Sequence, residues 1–393
     1  MAGGNGVNAL EFMARWGADG QTIDGKGCLD ALLRQMDEGL AGRGRIPMVP
    51  SYLPPQIAVP DGAVCAVLDA GGTNLRTARA VRTGNRWELE ELHKQAMPGT
   101  EGMLSFEDFY AALAAPVQAL GTFDRVGFCF SYNVSLDRSL DGPLDFWCKE
   151  VQAPEAVGRP VGASLAKALG VGSVHVLNDS VAAMLGAEDV QVGVILGTGV
   201  NVCYLERCDA IGKVPGDLRA KSMIISTEVG EFGGFHRSKF EETVIAASDA
   251  PDSAPAEKQC SGGYLGDVIA AAWAAAREEG LLDTIPPADL GSVSRLLTED
   301  PHSTAAQIAA VAVHRAAKIA AVLCAGPILR AARDTKTLRV AVEGSQYWRL
   351  TGFRDAFHRE LDALLPEGVT CRIVKSENAC LIGAAQAAWA EKM

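Results

Sequence analysis

The chain lacks most of the signatures that would assign it a chemistry at sight. It has no Cys-x-x-Cys pair, no cysteine and histidine cluster at metal-ligand spacing, and only six histidines, which are scattered. Zinc ribbons and thioredoxin-like centres are thereby excluded. No histidine neighbours a serine or cysteine in a nucleophile-like motif, so a covalent nucleophile has no support; His175 and His314 read as structural. Basic excess is also missing: Lys and Arg number 36 against 48 Asp and Glu, for a net charge of -12. Without a basic surface, no nucleic-acid and no membrane-surface partner is expected. Met1 to Val7 carries no basic and apolar signal segment. The most apolar stretch, Ala305 to Ala332, is broken by His314, Arg315, Lys318 and Arg330 and predicts a buried Ala-rich helix rather than a membrane span. The ten cysteines fall mostly in apolar runs, as at Cys65, Cys129, Cys203 and Cys324. They read as free thiols in a reducing compartment, the cytoplasm.

What remains is a chain of 393 residues, 48% hydrophobic and 21% charged, long enough for two or three domains. Two Gly-Thr turns between apolar strands organise it. The first lies in Val67-Leu68-Asp69-Ala70-Gly71-Gly72-Thr73-Asn74-Leu75-Arg76, the second in Val194-Ile195-Leu196-Gly197-Thr198-Gly199-Val200-Asn201. A P-loop or dinucleotide fingerprint runs from glycines into a helix. Here β-favouring sequence follows both times, Leu75 to Val81 and Val200 to Leu205, which reads as strand, turn, strand. Such turns offer backbone N–H groups and a threonine hydroxyl to phosphate oxygens. Two of them predict one phosphate chain held from two sides.

Around these turns, residues 8–40 read as helical and Pro47 to Pro55 as an extended lead-in that cannot be a central strand. Strands are expected at 63–70, 87–94, 125–131, 173–177, 222–227, 337–342 and 370–374. Helices are expected from the N-cap Ser105 to Leu120 and at 161–169, 180–187, 265–279, 305–332, 353–364 and 380–390, with Ser248 to Pro255 a surface loop. The strand–turn–strand block recurs and helices follow each copy, which predicts an α/β chain with two related halves.

Several side chains could carry chemistry. Asp69 stands beside the first turn, where a carboxylate would repel phosphate unless a divalent cation intervenes. Arg76 adds a fixed positive charge. Alone, the Gly-Gly turn favours a plain hairpin; the second copy reverses that preference toward the phosphate reading. Asn178-Asp179 ends a strand and opens a helix, so Asp179 is either a helix N-cap or a base facing a crevice. Glu228 ends a strand before Gly230, Gly233 and Gly234, and Glu257 precedes Gly262-Gly263. Each could accept two hydroxyls of a polyol, or be a solvated charge. Lys149, after Trp147-Cys148, could neutralise a phosphoryl group or lie on the surface.

In order along the chain, Leu68 to Arg76, Gly127-Phe128-Cys129-Phe130-Ser131, Val176-Leu177-Asn178-Asp179-Ser180-Val181, Leu196 to Tyr204 and Glu228-Val229-Gly230-Glu231-Phe232-Gly233 resemble the hexokinase family of sugar kinases, within the actin, heat-shock ATPase and sugar-kinase superfamily. The resemblance runs from about Pro47 to the C-terminus and points to hexokinases proper rather than shorter bacterial glucokinase or repressor-type groups. It implies two related domains of the actin-like ATPase (ribonuclease H-like) type with a central cleft. Residues 1–61 would be an N-terminal helix and linker packing with the large domain, 62–190 the small domain, 191–376 the large domain, and 377–393 a helix returning to the small one. It implies hexose and ATP as partners, Mg²⁺ as cofactor, and transfer to the sugar 6-hydroxyl. Asp179 would be the catalytic base and Lys149 would assist. Ser131, Lys149, Asn178, Asp179, Asn201, Glu228 and Glu257 would bind sugar. Asp69, Gly71, Gly72, Thr73, Asn74, Arg76, Gly197, Thr198, Gly199, Gly344, Ser345 and Ser376 would bind nucleotide. Glucose is the first-choice acceptor, ahead of mannose, fructose or glucosamine. A non-catalytic sugar sensor and an actin-like ATPase are the competing classes; retained Asp179 and Lys149 speak against the first, and the sugar set against the second. The chain departs from the family at Tyr132-Asn133, where Phe-Pro is usual, at Cys148, where threonine is usual, and at Ser376 to Gly383, where a glycine-rich run is usual.

Overall fold

The structure, a computed structural model, describes residues 8–147, 151–219 and 221–393. In chain order its strands are β1 (Val49–Pro50), β2 (Val64–Ala70), β3 (Asn74–Thr83), β4 (Arg86–Ala96), β5 (Arg125–Phe130), β6 (Asn133–Val134), β7 (Leu144–Phe146), β8 (His175–Leu177), β9 (Val192–Leu196), β10 (Val200–Arg207), β11 (Ser222–Ser226), β12 (Thr337–Glu343) and β13 (Thr370–Val374). The helices are α1 (Ala9–Arg15), α2 (Gly25–Leu40), α3 (Phe106–Gln118), α4 (Val161–Leu169), α5 (Asp179–Leu185), α6 (Lys239–Ala247), α7 (Pro255–Cys260), α8 (Gly262–Glu278), α9 (Leu290–Glu299), α10 (Thr304–Ala331), α11 (Ser345–Arg349), α12 (Phe353–Leu364) and α13 (Ala379–Ala387).

The strands form two main sheets. One runs β4-β3-β2-β5-β8 and the other β1-β11-β10-β9-β12-β13. In each, the first three strands of the unit pair antiparallel in chain order, and the next two add in parallel beside the first. Thus β2, β3, β4, β5 and β8 repeat as β9, β10, β11, β12 and β13, and each Gly-Thr turn joins the first two strands of its unit. The apolar runs explain the central positions: Val67, Leu68 and Ala70 of β2 are fully buried. The charged β4 is an exposed edge, with Glu88, Glu90 and Lys94 discouraging further pairing. The Pro-containing β1 pairs only with β11, at the other sheet's rim, where a missing N–H is tolerated.

Helices α1 and α2 share a core with the second sheet: Phe12, Met13, Leu32 and Met36 lie in one cluster with Val192, Val194 and Tyr204. Helix α10 runs through that core. It is the one helix among the described residues long and apolar enough to cross a membrane, and 78% of its apolar 18-residue window is buried within the protein. Its buried Arg315 donates to Glu241 on α6 at 2.8 Å and to the backbone oxygen of Asp19 at 2.8 Å, so the charge is paired and fully bonded.

Two helices meet between the sheets. Helix α13 lies on the first sheet, where a Cβ on Gly127 would stand 2.0 Å from the oxygen of Ala384. Helix α5 follows β8 of the first sheet but lies against β9 and β10 of the second; a Cβ on Gly193 would stand 2.4 Å from the oxygen of Ser180. The helices touch each other at Gly383, whose Cβ would stand 1.9 Å from Ala182 oxygen. Only glycine permits this backbone contact.

Four helices stand where the sequence reading leaves no helix: α6, α7, α9 and α11. Helix α6 opens on a capping box, with Ser238 and Glu241 bonding each other's backbone N–H. Helix α8 starts at Gly262, before the expected Leu265, because its first N–H groups find acceptors in the second Gly-Thr turn.

Candidate active site

The cleft between the sheets has a volume of about 410 Å³ and is reached by loops at the strand ends. Ser131 follows β5, Asn178 and Asp179 follow β8, Gly199 to Asn201 open β10, Glu228 follows β11, and Glu257 lies on α7; all line this one cleft. Strand ends meet here because the parallel strands of both units finish on the same side.

Asn201 is the centre of its floor. Its Nδ2 donates to Glu228 Oε1 at 2.6 Å, to Ser226 Oγ at 2.9 Å and to Asn178 Oδ1 at 3.3 Å. Its Oδ1 accepts from the backbone N–H of Glu228 at 3.0 Å and of Val202 at 2.8 Å. Glu228 is therefore gripped at both backbone and side chain, which holds it in the left-handed region at φ 58°. Ser226 Oγ donates to the same Glu228 oxygen at 2.8 Å. Burial pushes the Glu228 carboxyl up to about 7; the charges of Asp179 and Glu257 act the same way, against the bonds from Ser226 and Asn201. Glu257 Oε2 accepts from the backbone N–H of Val200 at 2.9 Å and so braces the second turn.

The N-cap of α5 is Asn178, not Asp179. Asn178 Oδ1 accepts from Ser180 N at 2.9 Å and Ser180 Oγ at 2.7 Å. Asp179 occupies the first helical position, its Oδ1 accepting from Ser180 N at 2.8 Å, with its carboxylate on the cleft.

The residues expected to hold nucleotide, Ser376 apart, gather around the two turns. Asp69 and Arg76 are direct cross-strand partners, and Arg76 Nε donates to Asp69 Oδ2 at 2.8 Å. Arg76 Nη1 also reaches Asn378 Oδ1 at 3.4 Å. Gly72, Thr73 and Asn74 form the turn itself, with Asn74 Nδ2 donating to Thr73 Oγ1 at 2.7 Å. Tyr132, one of the departures from the family pattern, donates its hydroxyl to Gly71 oxygen at 2.9 Å. Beside the Glu257 brace, the second turn is bound by backbone: Gly262 N donates to Gly197 oxygen at 2.8 Å and Gly263 N to Thr198 oxygen at 3.0 Å. Gly344 presses on its other side at φ 121°, and a Cβ there would stand 2.1 Å from Leu196 oxygen. Ser345 opens α11 directly behind it. Ser376 is engaged elsewhere, donating to Gly186 oxygen at 3.0 Å. Lys149 and Cys148 lie outside the described residues.

Three cleft residues escape a sequence reading. Ser226 carries the spacing Ser-x-Glu to Glu228, a signal available only once Glu228 is suspected. Arg45 and Glu231 meet at the cleft, 3.1 Å apart, across 186 residues, and nothing local announces them.

This two-domain architecture is that of sugar kinases. A hexokinase from Schistosoma mansoni, solved with glucose, superposes with a TM-score of 0.81 over 97% of this chain and 98% of its own, at 24% identity. A ROK family glucokinase from Streptomyces griseus, solved with glucose and AMPPNP, gives 0.53 over 83% of this chain and 99% of its own, at 20% identity. Within that class the chain belongs to the hexokinase family. Models described as Hexokinase match residues 24–188 and, together, 191–300 and 288–390. The Hexokinase-2 of Oryza sativa subsp. japonica is 29% identical over 414 residues, 88% of this chain and 83% of that protein. The protein is a phosphotransferase of the sugar-kinase type, transferring phosphate from ATP to a hexose.

Proposed function

We infer that the hexose is glucose, phosphorylated at its 6-hydroxyl with Asp179 as general base. The observation that carries this reading is the clamp of Asn178, Asn201, Ser226 and Glu228 beside Asp179. It is a fixed, partly buried set of donors and acceptors suited to adjacent hydroxyls of a pyranose. Glucose in the structures of two relatives supports the choice of sugar. Glu228, Glu257, Asn201 and Ser131 hold the ring, and Asn178 fixes the start of α5, which sets the position of Asp179. Asp179 accepts the hydroxyl proton as O6 attacks the γ-phosphorus and ADP leaves. Lys149 approaches the transferring group.

The donor lies across the two turns. Mg²⁺ takes oxygen ligands and keeps several of its waters. Asp69 suits it: both guanidinium bonds go to Oδ2, and Oδ1 can accept from a coordinated water. Bound with ATP, the ion supplies charge neutralisation on the phosphates. Water competes with the sugar as nucleophile, so the two domains close on sugar and exclude it. The free thiols among the described cysteines suit a reducing, cytoplasmic setting.

A coupled assay of hexose-dependent ADP formation with glucose, mannose, fructose and glucosamine tests the sugar. Asp179→Ala is expected to lower kcat by about 10²–10⁴-fold with little change in KM for ATP. Undiminished turnover in that variant would remove the base assignment.

A further inference from the structure

Asp69 and Cys129 are register partners on the parallel strands β2 and β5, so their side chains emerge on the same face. Helix α13 lies on that face and sets Cys380, in its first turn, against them. The carboxylate oxygen and the two sulfurs all lie within 4.8 Å of one another. Both cysteines are free thiols. A tetrahedral zinc ion with these ligands would need separations of about 3.5–3.8 Å, given metal–sulfur and metal–oxygen bonds of about 2.3 and 2.0 Å. Side-chain rotation of about 1 Å closes that gap.

We propose that Asp69, Cys129 and Cys380 form a site for a thiophilic divalent cation of the zinc class, directly behind the first phosphate turn. The ligand chemistry selects against Mg²⁺, since two of the three donors are sulfur. Charge also favours it: two thiolates, one carboxylate and one divalent ion sum to −1, and the Arg76 guanidinium on Asp69 returns the group to neutrality. Entry is from the side where Asp69 and Cys380 each keep 6% exposure, while Cys129 is fully buried. The hydrogen bond with Cys380, and then burial, push the Cys129 thiol up; Cys380 is also raised, by burial against the opposing effect of that same bond. Both start as thiols, so binding one ion forms two metal–sulfur bonds and releases two protons to solvent. An ion here also draws on Asp69. If that residue serves the nucleotide as inferred above, the ion inhibits phosphoryl transfer. This second part rests on that reading; metal binding does not.

The test uses the full, reduced chain and cobalt(II) chloride as probe, with a thiolate-to-cobalt absorption band as readout. One cobalt per chain, release of two protons, and displacement by zinc are expected. The band should vanish in Cys129→Ala/Cys380→Ala and in Cys380→Ala alone, the milder change. No band in the native chain, or the same band in the double variant, overturns the site. In the coupled assay, zinc at fixed excess Mg²⁺-ATP should inhibit the native chain, and Cys380→Ala should require at least tenfold more zinc. A band that zinc displaces without loss of activity supports the site and overturns the inhibitory role.

Discussion

The two Gly-Thr turns share a sequence and occupy equivalent places in the two sheets, yet they are held by different physics. The turn at Gly71 adds side-chain supports to its backbone bonds from Gly71 N to Asn74 oxygen and from Met97 N to Thr73 oxygen: an ion pair between Asp69 and Arg76, and the Tyr132 hydroxyl on Gly71 oxygen. The turn at Gly197 is held mainly by backbone: two N–H groups from the start of α8 and Gly344 pressed behind it, with the Glu257 carboxylate on Val200 N–H as a side-chain brace. Polar side chains can be re-paired by a ligand or an ion, whereas packed backbone cannot. The first turn is thus the adaptable one and the second the rigid reference, a division that duplication alone does not produce.

Five substitutions sharpen or break this contrast. Arg76→Met leaves Asp69 buried without its partner. It should cost roughly 2–4 kcal/mol in chemical denaturation and raise KM for ATP, because the first turn depends on that charge. An unchanged midpoint would mean the ion pair is dispensable. Glu228→Gln probes the floor between the turns. The native carboxyl, pushed up to about 7, keeps a proton that the unfolded chain releases near its ordinary value of 4.5. Its contribution is therefore present below about pH 4.5 and is lost as pH rises through 7, up to about 3 kcal/mol in all. The variant should lose that slope in a stability–pH series.

A matched pair of glycine variants compares the turns directly. A Cβ at Gly263 would stand 2.8 Å from Thr198 oxygen, and one at Gly71 would stand 3.6 Å from Asn74 oxygen, an ordinary contact. Gly263→Ala should cost about 2 kcal/mol, and Gly71→Ala close to nothing, in thermal unfolding. Equal losses would erase the distinction between rigid and adaptable turns. The smallest effect is expected from Tyr132→Phe. It removes one hydrogen bond to Gly71, worth about 1 kcal/mol, and should raise KM for ATP more than KM for sugar.

Much of this was legible in the chain. Apolar runs marked the sheet strands, Ser105 marked the start of α3, and its side chain accepts from Asp108 N at 3.1 Å. The Ser238-x-x-Glu241 box is a local signal for α6 as well. Other features had no local signal. Asn378 and Arg76 meet across 302 residues, and Asn201 and Glu228 across 27. Asp179 could be placed at a strand end, but only the structure showed the cap falling to Asn178 and the carboxylate left to the cleft.

The duplicated strand–turn–strand unit and the family follow from the chain's local pattern. Periodicity and glycine placement are local, and they act through nearest neighbours along the chain. Only the tertiary structure decided which polar groups meet: the Asn201 clamp, the unequal support of the two turns, and the two thiols behind Asp69. Those depend on how α5, α8 and α13 pack against sheets distant in sequence. Hydrogen bonds and metal ligation act over a few ångströms in space, whatever the separation along the chain.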